Sequence, residues 1–132
     1  MVNLHQRHRD GQRAFTVIEL MVVLACIGLL LAIAAPRYTQ HVDQAREVAL
    51  RQDLRQMRIA IDQFRADQSR YPETLEELAA RGYVRSVPID PMTGSASTWR
   101  VAPPAGEGAT GVADLHSGAS GAGQDGSDYA SW

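Results

Sequence analysis

Side chains able to do chemistry are few in this sequence and far apart. The four histidines are His5, His8, His41 and His116, and no pair of them has metal-ligand spacing. The single cysteine, Cys26, lies within an apolar run, can form no internal disulfide, and reads as a small apolar residue. Ser, His and Asp occur without a nucleophile motif, and no glycine-rich loop joins a strand to a helix in the way that cradles phosphate. This is the pattern of a non-enzyme. One acid nevertheless stands where it demands an explanation: Glu19 opens a run that carries no further charge from Leu20 to Ala35 and stops at Pro36. A carboxylate at that depth in an apolar helix costs several kcal/mol unless it finds a partner.

The element that must position Glu19 is the apolar run itself. Counted from Phe15 it holds about 21 residues, roughly 31 Å of helix, which matches a bilayer's hydrocarbon thickness of about 30 Å. Ahead of it, Arg7, Arg9 and Arg13 outnumber the one acid Asp10, and positive charge beside a spanning segment stays in the cytoplasm. The carboxyl-terminal part is therefore expected outside the cytoplasmic membrane. Gly28 and Pro36 each have two readings: close helix packing or local melting at Gly28, and a lost hydrogen bond with a kink at Pro36.

Beyond the anchor about 97 residues remain, enough for one modest core. From Arg37 to about Gln68 the pattern is amphipathic: Tyr38, Val42, Ala45 and Ala49, then Leu50, Leu54, Met57, Ile61 and Phe64. The opposite face carries Arg, Asp and Glu, with Glu47 and Arg51 at the favourable four-residue spacing. Tyr71-Pro72 ends this helix, and Thr74-Leu75-Glu76-Glu77 reads as a capping box opening a short second helix that Gly82 closes. Residues 98–102 and 111–116 read as two short antiparallel strands. Laid on the long helix, they are expected to bury Trp99, Val101, Val112 and Leu115. The stretch 117–132 is rich in Gly, Ser and Ala, so order there requires something to pin Tyr129 and Trp132. All the bases are Arg, and a weakly acidic domain with bases spread along a helix has no nucleic-acid footprint.

The stretch Arg-Ala-Phe-Thr-Val-Ile-Glu-Leu, 13–20, resembles the amino-terminal signature of type IV pilins and of the pseudopilins of type II secretion, the major G-type subunits above all. In those families a basic leader is cut by a prepilin peptidase just before Phe, and Glu is fifth in the mature chain. The resemblance places the cut between Ala14 and Phe15, where most of the family has Gly for Ala14, and puts an N-methyl group on Phe15. Because this site precedes the apolar run, the helix stays with the mature protein, unlike a secretory signal. The resemblance gives Glu19 the role of attracting the amino terminus of a neighbouring subunit during fibre assembly; a carboxylate that only snorkels to the interface is the lesser alternative, since a plain anchor has no evident use for an acid there. The text Ser69-Arg70-Tyr71-Pro72 to Leu78, then Gly82 to Pro91, is similar to the matching stretch of the pseudopilins and extends the likeness past the anchor.

What the resemblance implies is an α+β, pilin-like fold: a long amino-terminal helix, transmembrane then amphipathic, a short second helix and a small antiparallel sheet. Leader 1–14, transmembrane helix 15–36 and periplasmic domain 37–132 follow, in a single-pass protein of the bacterial inner membrane. The implied function is a structural subunit of the type II secretion pseudopilus, a helical homo-oligomeric fibre. Its partners would be minor pseudopilins, an inner-membrane assembly platform and the prepilin peptidase. The alternative is a type IV pilin for adhesion, motility or DNA uptake. Major pseudopilins also carry a calcium-binding loop near the carboxyl terminus, which here would use the Leu115 carbonyl with Ser117, Asp125 and Asp128. Fewer acids and no full run of paired glycines leave a metal-free polar loop equally open.

Overall fold

The computed structural model describes residues 14–132. Helix α1, Val17–Gln68, is 52 residues long and contains Pro36. The chain divides into two units, Met1–Thr39 and Gln40–Trp132. In the first, the large apolar residues from Phe15 to Ile33 are exposed. A window of mean hydropathy 2.8, none of it buried, makes α1 long and apolar enough to cross a membrane.

The second unit is built on the amphipathic half of α1. Leu50, Leu54, Met57, Ile61 and Phe64 recur at alternating four- and three-residue steps and are buried. Each contributes roughly 1.5–3 kcal/mol by leaving water. The stripe begins later than its sequence pattern: Tyr38 and Ala45 are exposed, and the first buried position of α1 is Glu47.

The short helix α2, Leu75–Ala80, presses Leu75 and Leu78 into this core. Thr74 caps it by accepting the Glu77 amide at 3.3 Å. Only half of the expected capping box forms. The Glu77 carboxylate accepts from the Glu73 amide, 2.8 Å, and from Arg70 rather than from Thr74. Past α2, Gly82 takes φ +80°, so that the Tyr83 amide reaches the Leu78 carbonyl and the Gly82 amide that of Ala79.

Strands β1, Arg100–Ala102, and β2, Asp114–His116, pair antiparallel with Val101 opposite Leu115. Both are shorter than the sequence pattern. Trp99, Val112 and Leu115 are buried as expected, but Val101 is 52 % exposed. A two-stranded sheet of three residues a side covers little, and Val101, the middle residue of β1, stays half exposed.

The segment after β2 is ordered. It is drawn together by an isolated antiparallel bridge, Ala122 to Asp128, and by a 3₁₀ turn at Tyr129–Ser131.

Candidate functional site

Two regions carry the residues singled out from the sequence, one in each unit. In the first, Ala14, Phe15 and Thr16 precede α1 without regular structure and are exposed. The Thr16 hydroxyl accepts the Glu19 amide at 3.3 Å, an N-cap that fixes where the helix starts. Glu19 falls in the first turn, where its charge favours the helix dipole. Thr16 was legible only as part of the motif; its capping role follows from its spacing three residues before Glu19. The basic residues Arg7, Arg9 and Arg13 lie outside the described residues.

In the second unit, one face of α1 meets the segment 114–132. Glu47 is buried, and its Oε1 accepts from the Gln124 amide at 3.0 Å and from the Tyr129 hydroxyl at 3.1 Å. Burial first, then Glu47, pushes the Tyr129 phenol above its ordinary pKa and keeps it a donor. The sequence pattern puts Glu47 on a solvated face, paired with Arg51. Neither holds. Three residues before Leu50, Glu47 continues the buried stripe, and Arg51 turns instead to Asp125 at 2.8 Å and stacks 4.1 Å over the Trp132 ring.

One turn pair further along, Arg58 gathers three acceptors. Its Nε donates to Asp114 Oδ1 at 2.7 Å, and its Nη2 to the main-chain oxygens of Leu115, 3.0 Å, and Trp132, 2.7 Å. Burial works to raise the Asp114 pKa, but the bonds from Arg58 and the Leu115 amide outweigh it and leave the carboxyl below its usual value. Arg51, Leu54, Arg55, Arg58, Asp125 and Trp132 border an open cavity of about 540 Å³.

Three of the four residues named for calcium have other partners. The Leu115 carbonyl holds Arg58. Ser117 is fully buried, donates to Asp90 Oδ2 at 2.6 Å and accepts the Ala119 amide. Asp125 takes Arg51 on Oδ2 and both the amide and hydroxyl of Ser127 on Oδ1, 3.0 and 2.6 Å. Ser127, then Arg51, lower its carboxyl to about 2. Asp128 is exposed and makes no side-chain cap to the turn it precedes. Among the described residues no hydrogen bond joins any two of the four, and no group of three or more His, Cys, Asp or Glu could hold a metal.

Asp90 is fully buried and receives the Met92 amide, the Ser117 hydroxyl and the Gly118 amide. It ties the loop before β1 to the chain leaving β2. The signal available was Asp90-Pro91 with Gly94 four residues on, a turn with an acid at its start.

Residues 9–35 match the prokaryotic N-terminal methylation motif, a span that encloses Ala14, Phe15 and Glu19. With that motif at the head of a long helix, a short second helix and a two-stranded sheet, the protein is of the pilin-like class. It is 31% identical over 102 residues to type II secretion system core protein G of Klebsiella michiganensis, covering 65% of this chain and 72% of that protein. Against the protein of the same name from Pseudomonas aeruginosa it is 30% identical over 99 residues, 63% of this chain and 70% of that one. The type IV major fimbrial protein FimA of Dichelobacter nodosus is 43% identical, but over 51 residues, 39% of this chain and 33% of that one. No solved structure matches. The chain belongs to the type II secretion system core protein G family.

Proposed function

We propose that this protein is the major pseudopilin of a type II secretion system, a structural subunit and not an enzyme. It assembles with copies of itself into a periplasmic fibre that drives folded proteins across the outer membrane. What supports this most is that the likeness to core protein G extends over about two thirds of the chain, whereas the likeness to a fimbrial protein stops at 51 residues.

On this reading, residues 1–14 are a leader removed by a prepilin peptidase, 15–36 cross the inner membrane once, and 37–132 form the periplasmic domain. Phe15 becomes the methylated amino terminus. Glu19 meets the new amino group of an adjacent subunit, a pair that low dielectric makes mutually necessary. Minor pseudopilins and an inner-membrane platform are the remaining partners.

The test is genetic. Deleting the gene in its native host abolishes release of exported proteins into the medium, the wild-type gene restores it, and Glu19→Ala inserts in the membrane but does not restore it. Intact export with loss of surface pili would assign the chain to type IV pili instead.

A further inference from the structure

We propose that two arginines of α1, Arg51 and Arg58, close the carboxyl-terminal loop of this protein, in the place where a calcium ion would otherwise be required. Seven residues apart, two helical turns, they reach the loop from one face of α1. Between them they engage two of the four acceptors that the cation would use. Arg58 holds the Leu115 carbonyl, and Arg51 holds Asp125.

Calcium takes six to eight oxygens at about 2.3–2.6 Å. To gather such a shell here, Arg51 would have to leave both Asp125 and the Trp132 face, and Arg58 would have to give up Leu115. Ser117 would have to turn from Asp90, a fully buried carboxylate whose remaining donors are the Met92 and Gly118 amides. A divalent ion beside two guanidinium groups would also be repelled by both.

The arginine arrangement satisfies the loop without an ion. The Trp132 indole donates to the Ser127 hydroxyl at 2.6 Å, that hydroxyl donates to Asp125, and Asp125 accepts from Arg51, which stacks on Trp132. The circuit closes on itself. Arg58 and the His116 ring both meet the Trp132 main-chain oxygen, fixing the same residue from the other side. Gly123 lets the indole come close to the backbone, since a Cβ there would lie 2.4 Å from the ring. Order in the loop is thus expected to be independent of divalent cations, though the segment is long and rich in glycine.

The experiment is hydrogen exchange by mass spectrometry on the detergent-solubilised full chain, in millimolar calcium and in chelator. Exchange in peptides spanning 117–132 is expected to agree in the two media within about twofold. Protection higher by about tenfold or more in calcium would overturn the proposal. The double substitution Arg51→Gln, Arg58→Gln should speed exchange of this segment by about tenfold in either medium while peptides covering Leu54 to Phe64 stay protected. Unchanged protection of 117–132 in that variant would equally refute it. The comparison of wild-type protein in the two media decides the matter even if the double variant does not fold.

Discussion

The Tyr129 hydroxyl donates to the Glu47 carboxylate at 3.1 Å across a separation of 82 positions, and both residues are buried. Among the described residues no cation pairs with Glu47; its Oε1 accepts from neutral donors, the phenol and the Gln124 amide. It works as a peg on α1 over which the tail is hung.

Glu47→Ala should therefore destabilise the domain by about 1–3 kcal/mol, the cost of leaving buried donors unmatched. For a domain of this size that is a fall in Tm of roughly 4–8 °C per kcal/mol. Glu47→Gln keeps one acceptor and should lose less. Thermal unfolding of the full chain in detergent measures both, and equal melting of Glu47→Ala and wild type would show that the tail does not depend on this peg.

The Asp125 carboxyl titrates near 2, lowered first by the Ser127 hydroxyl, next by the Ser127 amide and then by Arg51. A depressed pKa in the folded state means that the contribution is complete above the ordinary value of 3.8 and is lost as pH falls through about 2. The loop should stay closed from neutrality down to the low threes. Carboxyl-resolved NMR should find Asp125 ionised at pH 3, and Ser127→Ala should raise its pKa more than Arg51→Gln does. The reverse order would make the arginine the principal cause.

At Gly118 a Cβ would lie 1.9 Å from the Thr98 carbonyl oxygen, a backbone atom with no rotamer to yield. Gly118→Ala should force the chain after β2 off the Thr98 backbone, disturb the Gly118 amide bond to Asp90, and cost about 1–3 kcal/mol or more. At Gly28 nothing lies within 4 Å of an added Cβ, so Gly28→Ala should leave unfolding of the second unit unchanged. Chemical denaturation of the two variants in parallel separates them.

Processing provides a fourth check. Protein recovered from the native host should begin at Phe15, with the mass of one added methyl group, by amino-terminal sequencing and intact-mass measurement. A start at Gln12, or beyond Pro36, would remove the basis for placing Glu19 fifth in the mature chain.

Much of the fold was legible from local pattern. The apolar run, the stripe from Leu50 to Phe64, Thr74 before α2 and Gly82 after it are features of neighbouring residues, and the structure keeps them. Strand pairing at 100–102 and 114–116 also followed, though Val101 did not bury, because alternation says which face a residue is on and not how far the covering layer extends. What pins the tail was not legible. Glu47, Arg51 and Arg58 are charged, and a pattern reading assigns charge to solvent by default. Their partners lie 56 to 82 positions away, beyond any window in which spacing carries information. Asp90 was hidden for the same reason, its partners Ser117 and Gly118 lying 27 and 28 positions on.

The separation between the arginines of α1 and their partners has a consequence for the order in which the protein can take shape. During synthesis, residues 47 to 58 emerge early, and the acceptors at 114, 115, 125 and 132 emerge only after everything between them. Until then the helix face that will carry the tail has an acid and two guanidinium groups facing water, and Leu54 beside them lacks its lid. Closing so long a loop is slow compared with winding a helix, so tail docking should be a late event in folding. The segment 114–132 acts as the latch: a nascent chain stalled short of Gln124 would present an unfinished, sticky surface along the same helix that the docked segment covers.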